Sequence, residues 1–202
     1  MSAAVTASVS TEAKPGSGRR TLLLVLALFV LPVLVAAGMY VFGWRPEKTM
    51  NHGTLIRPPL ALPDRGLSGT DGKPIAIEEL RGKWLLLLAG SGPCDETCRG
   101  RLQQMRNVQV ALNKDRDRIR RAWINPGAGA DPALAELRRA LPDLLVAQPA
   151  GDAWTAIFGS APGHRLYLAD PMGNVMMRYP DDADPQGVRK DLERLLKYSW
   201  IG

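Results

Sequence analysis

Apolar and polar positions along this 202-residue chain fall into three regimes. Residues 21–43, TLLLVLALFVLPVLVAAGMYVFG, run for 23 positions without a charge. As a helix rising about 1.5 Å per residue they extend roughly 34 Å, enough to cross a hydrocarbon core. Pro32 kinks such a helix without forbidding it, and Tyr40 and Trp44 at its far end suit a membrane interface. Residues 44–65 contain four prolines and no sustained period, which predicts an extended linker. From about Gly66 onward, short apolar runs alternate with helical spacing, which predicts one globular domain over 66–202.

Within that domain, Thr70-Asp71-Gly72-Lys73 reads as a turn between two short extended pieces. KWLLLLAG (83–90) is a continuous apolar run, suited to a central strand covered on both faces. Leu102, Met105, Val108 and Leu112 recur at three- and four-residue intervals, predicting a helix over about 95–113 with one buried face. RIRRAWIN (118–125) reads as a second strand, 132–140 as a short helix, DLLVAQ (143–148) as a third strand and 153–158 as a weak helix. RLYLAD (165–170) and NVMMRY (174–179), around Pro171-Met172-Gly173, predict a hairpin. Asp184 is placed to cap a last helix whose Val188, Leu192, Leu195 and Leu196 face the sheet. The order ββαβαβαββα predicts an α/β domain, a mixed sheet flanked by helices around one core.

Charge decides which side of a membrane this domain occupies. Lys14, Arg19 and Arg20 precede the apolar span with only Glu12 against them, so the tail 1–20 is expected in the cytoplasm and everything beyond residue 44 outside. Val35-Ala36-Ala37 offers a signal-cleavage alternative, but the run is too long for an h-region and continues through Val41-Phe42, which favours a retained anchor over 21–43. In a bacterium this predicts a single-pass protein of the inner (cytoplasmic) membrane with a periplasmic C-terminal domain. There cysteines can be oxidised. The net charge of +6 invites a nucleic-acid reading. The basic residues are interleaved with acids in KDRDRIRR (114–121) and RKDLERLLK (189–197), patterns expected of solvated helix faces, and no nucleic-acid partner is expected.

Both cysteines lie in GSGPCDETCRG (90–100), between the central strand and the start of the helix, and ligands collect at such strand ends. Cys94 is expected near the helix N-cap, where backbone N–H groups favour a thiolate, while Asp95 and Glu96 oppose it. One helical turn separates Cys94 from Cys98, so both sulfurs can point the same way. Such a pair can be a disulfide staple, a redox pair or a soft-metal clamp suited to Cu(I). As a staple it is weak, because so small a loop removes little chain entropy. Two histidines could add a ligand: His52, expected solvated in the linker, and His164, at the start of the RLYLAD strand and beside the cysteine turn. A Cys94–Cys98–His164 set is chemically reasonable for copper. Met172, Met176 and Met177 are better explained by core packing, and Gly127-Ala128-Gly129 by a plain flexible loop.

LSGTDGKPIAIEELRGKWLLLLAGSGPCDETC (67–98) resembles the opening of thioredoxin-fold proteins of the SCO/SenC copper-chaperone type, through the Asp71-Gly72-Lys73 turn, Leu80-Arg81-Gly82-Lys83-Trp84 and the cysteine spacing. The resemblance resumes at Tyr167-Leu168 and Asp170-Pro171-Met172-Gly173. The chain is also similar to a smaller group of single-span proteins associated with cytochrome c oxidase. The resemblance implies a thioredoxin-like fold, Cu(I) as cargo held by Cys94, Cys98 and a histidine, and an oxidase subunit or another copper-assembly factor as partner. The family's prolines after each cysteine are here Asp95 and Arg99. Its histidine five residues before the tyrosine is here Pro162, and His164 stands three before, displaced along an extended segment by about 6–7 Å. Three roles are therefore carried forward. The first is copper delivery in oxidase biogenesis. The second is a periplasmic thiol–disulfide reductase for a copper-site cysteine pair, with Cys94 attacking as the more exposed thiol and Cys98 resolving. The third is a non-catalytic assembly scaffold.

Overall fold

The long apolar run is helix α1 (Gly18–Val41), with Pro32 inside it, in the computed structural model, which describes residues 18–43, 50–159 and 163–201. Its 24 residues bury no side chain and are long and apolar enough to cross a membrane. Lys14, Glu12 and Trp44 lie outside the described residues. A second compact unit starts at Met50.

That unit begins with a strand where a linker was expected. β1 (Thr54–Ala61) pairs antiparallel at the edge of the sheet, and its register shifts between Leu55 and Leu60. Pro58 and Pro59 fall inside that shift. An edge strand needs only one ladder, so their missing donors are tolerated. The following elements are β2 (Leu67–Gly69), β3 (Trp84–Ser91), α2 (Glu96–Ala111), β4 (Ile119–Ile124) and α3 (Leu134–Ala140). Then come β5 (Leu145–Pro149), α4 (Asp152–Phe158), β6 (Gly163–Ala169), β7 (Asn174–Arg178) and α5 (Pro185–Tyr198). Beyond the 70–73 turn the second extended piece is only a bridge from Pro74 to Ser68, since Pro74 brings no N–H to extend it.

The sheet order is β1-β7-β6-β3-β4-β5-β2. β3, β4 and β5 run parallel, and β6, β7, β1 and β2 are antiparallel additions. This is the expected mixed sheet, in a thioredoxin-like arrangement. The expected single core is split in two by it. Leu86 and Leu88 of β3 pack with Leu102, Met105, Val188 and Leu192 from α2 and α5. Leu85 and Leu87 point the other way, to Leu80, Trp154 and Tyr167. Each fully buried leucine contributes about 2–3 kcal/mol relative to exposure, so β3 anchors both layers.

The interleaved charges are less solvated than expected. Arg121, 1% exposed, donates through Nε to Gln109 Oε1 (2.6 Å) and through Nη2 to Asp143 Oδ1 (2.5 Å). Burial raises the Asp143 pKa, but the Arg121 hydrogen bond and charge outweigh it and the net shift is downward. Asp191 of α5, in the segment read as a solvated face, is 2% exposed. It accepts from the His52 and Gly53 backbone N–H groups at 2.9 and 3.0 Å, and its Oδ1 lies 3.1 Å from His52 Nδ1. His52 is thus exposed, as expected, but its backbone and ring are tied to Asp191 rather than free in a linker. Its ring fills the space beside Gly187, where a Cβ would come within 2.8 Å.

Candidate redox and metal site

β3 delivers the chain into the 91–95 loop, and α2 takes it back along the sheet. The N-cap of α2 is Asp95 rather than Cys94: its Oδ1 accepts from the Cys98 N–H at 2.8 Å, satisfying one of the orphan donors of the first turn. Cys94 stands just outside the helix and Cys98 just inside it. Their Cα atoms are 5.1 Å apart and the sulfurs are joined in a disulfide. A separation near 5.5 Å is usual for a bridge, so leaving the first cysteine outside the helix permits bonding at this spacing.

Two polar residues that the sequence reading did not single out hold this loop. Asp131, 8% exposed, accepts from the Cys94 N–H (Oδ2, 2.6 Å) and from the Ala133 N–H (Oδ1, 2.8 Å). Asn125, fully buried at the end of β4, donates through Nδ2 to the Gly92 carbonyl (2.7 Å). The same Nδ2 lies 3.3 Å from His164 Nε2, and Asn125 Oδ1 accepts from Gly127 N–H. The available signals were modest: a polar residue at a strand's carboxyl end, and an Asp-Pro pair before a helix.

His164 sits on β6 opposite Gly90 of β3. A Cβ at Gly90 would collide with the backbone of Gly163 and His164, so glycine there lets the two strands approach. His164 is half-buried, with its ring centroid 6.1 Å from that of Trp123. Burial lowers its pKa. Asp95 and Asp131 partly counter this, Arg101 reinforces it, and the net shift is downward. With Asn125 Nδ2 already a donor to Gly92, His164 Nε2 is the acceptor of that pair, as a neutral imidazole requires.

His164 and Cys98 line the same open cavity of about 380 Å³, with the 91–93 loop, Asp95, Thr97, Arg101, Gly163 and Asp181. Arg101 supplies a cation here, 3.9 Å from Asp181. Cys94 does not line the cavity, and the cysteines are equally sheltered, at 4% and 2% exposure. Both cysteines are buried in the bonded form, and only Cys98 borders the cavity. Among the described residues no three His, Cys, Asp or Glu side chains are gathered as a ready metal site, and the bonded sulfurs offer no thiolate. Pro162, where the SCO/SenC histidine is expected, lies outside the described residues. His52 does not line this cavity; its ring lies against Asp191 of α5. Met177 is buried in the core and Met176 packs against it, but Met172 is exposed.

Solved structures share this fold. The apo Sco1 protein of Thermus thermophilus is 21% identical, with a TM-score of 0.58 over 74% of this chain and 99% of that one. Yeast Sco1 with copper bound is 17% identical, with a TM-score of 0.56 over 71% and 96%. BsSco, described as a member of the Sco family of cytochrome c oxidase assembly proteins with a disulfide switch, is 16% identical, with a TM-score of 0.50 over 71% and 99%. At these identities the likeness is one of fold. No curated protein matches the sequence. Residues 84–199, from the first residue of β3 to just past α5, match the family described as transmembrane-like, thioredoxin-like, C-terminal domain, and the chain belongs to that family.

Proposed function

We propose that this chain is a membrane-anchored, thioredoxin-like factor in cytochrome c oxidase biogenesis, with Cu(I) as its cargo. The observation that carries the reading is the cavity onto which both Cys98, bonded to Cys94, and His164 open. Reduction of the disulfide by a dithiol donor takes up two electrons and two protons and yields two thiols. Metal uptake then releases both thiol protons, leaving two thiolates and a neutral imidazole, a donor set that selects Cu(I). Burial already favours neutral His164. Arg101 beside the cavity offsets the charge of the two thiolates. A copper-bound yeast Sco1 of the same fold, and a Sco family described as oxidase assembly proteins, support the assignment. The apolar helix serves as the anchor, with the preceding tail in the cytoplasm, the thioredoxin-like unit in the periplasm, and an oxidase subunit or another copper-assembly factor as recipient.

The disulfide itself favours a second reading, a thiol–disulfide reductase acting on a partner's copper-site cysteines. One thiolate of the reduced pair attacks the partner disulfide, a mixed disulfide forms, and the second thiolate releases the partner as a dithiol. A Cu(I) competition titration of the reduced full chain separates the two. Copper delivery requires tight one-to-one binding, abolished in Cys98→Ser and weakened about ten-fold or more in His164→Ala. Absence of tight binding in the unaltered chain overturns copper delivery. Mixed disulfides trapped through Cys94 in Cys98→Ser would then establish the reductase.

A further inference from the structure

We infer that the end of the thioredoxin-like unit opposite the cysteines binds an anionic lipid surface. The inference depends on the anchor reading above. In the unit that begins at Met50, six large apolar side chains among the described residues are more than half exposed: Met50, Val110, Met172, Tyr198, Ile201 and, at 100%, Trp200. Five of them, all but Met50, lie at one end. Val110 is on the last turn of α2, which begins at the cysteines and runs about 24 Å away from them. Met172 is in the β6–β7 turn, at the end where β3 begins, since Ala169 pairs with Leu85. Tyr198, Trp200 and Ile201 close or follow α5, which starts near the cysteine end and finishes at the other.

The aromatic tail is held in this exposed position. Arg118 donates to the carbonyls of Leu196 (3.0 Å), Ser199 (2.8 Å) and Ile201 (3.2 Å), and Ser199 Oγ donates to the Ile201 carbonyl at 2.9 Å. Rigid exposure of a whole tryptophan is costly in water unless something covers it. Trp and Tyr are the side chains that suit a headgroup boundary.

Charge selects lipid as the cover. Asp115, Asp117 and Glu193 at this end are already paired with Arg118, Arg116 and Arg189. Lys114, Arg194 and Lys197 have no carboxylate partner among the described residues and outnumber the exposed, unpaired Glu78 and Glu79 before β3, so the charge left over is cationic and matches anionic headgroups.

Tryptophan fluorescence of the full chain in vesicles of phosphatidylcholine and phosphatidylglycerol with brominated acyl chains tests this. The unaltered protein should lose a larger share of its emission to bromine than Trp200→Phe does. Replacing Lys114 and Lys197 by Glu should at least halve that difference. Equal quenching of the unaltered chain and Trp200→Phe overturns the inference while leaving the anchor intact. Blue-shifted but unquenched Trp200 emission overturns it in favour of a protein partner or a second copy. Failure of the chain to float with the vesicles overturns the anchor reading, and the inference with it.

Discussion

At the cysteine end of the domain, polar side chains hold the backbone: exposed Asp95 on the Cys98 N–H, buried Asp131 on the Cys94 N–H and buried Asn125 on the Gly92 carbonyl. At the far end, one half-buried arginine holds an apolar tail in the open, through three carbonyls. The first arrangement fixes a loop under a cavity and surrounds a disulfide with specific charges. The second fixes a tail whose Trp200 side chain is wholly exposed. A buried carboxylate serving two N–H groups cannot be removed without stranding both. A fully exposed tryptophan can be removed at no cost to the fold. The same domain therefore concentrates its fragility at the cysteine end and its tolerance at the far end.

The largest expected effect is at the cysteines. Cys98→Ser should abolish tight Cu(I) binding, and should also remove the short covalent loop, worth about 2 kcal/mol on chain entropy alone. Urea unfolding under oxidising conditions reads the second quantity. If the variant keeps full copper affinity, the two ends no longer differ in chemical role.

Asp131→Ala comes next. It strands the Cys94 and Ala133 N–H groups and should cost about 3 kcal/mol, with a measurable change in the reduction potential of the pair. An unchanged potential would make Asp131 a fold residue only. Arg118→Ala, at the other end, should cost about 1 kcal/mol and speed amide exchange over 199–201. Trp200→Ser should leave stability within about 0.5 kcal/mol, because its side chain has nothing to lose. A larger loss there would mean the tail packs on the domain after all.

The smallest effect is on pH. Burial holds the His164 pKa below its ordinary value of 6.5, so in acid the unfolded chain takes up a proton before the folded one does. Stability is then full above about pH 6.5 and declines as pH falls through the depressed folded value. His164→Gln should flatten that limb of a stability–pH curve. An unchanged slope assigns the acid loss to other groups.

Elements built from contiguous pattern were legible in the sequence. The apolar run of β3, the three-and-four spacing of α2, the β6–β7 hairpin and the Asp184 cap all lie close to where they were expected. β1 was hidden by its prolines, which only an edge position tolerates. Arg118 and Arg121 were hidden among alternating charges, because what buries them is not local: the carbonyls Arg118 holds are 78 and more residues away. The cysteine pair and His164 could be nominated by residue type. Asp131 and Asn125 could not, since their partners at Cys94 and Gly92 are 37 and 33 residues distant and reach them only through the crossover from β3 to β4. Likewise Gly90 declares its purpose only when β6 is placed beside β3.

The central claim is that Cys94, Cys98 and His164 together hold one Cu(I). X-ray absorption at the copper edge, on the reduced full chain loaded with one equivalent of Cu(I), tests it most directly. The account predicts a three-coordinate shell of two sulfurs and one imidazole nitrogen, with the nitrogen lost in His164→Ala. A shell without sulfur, or one unaltered by that substitution, would contradict it.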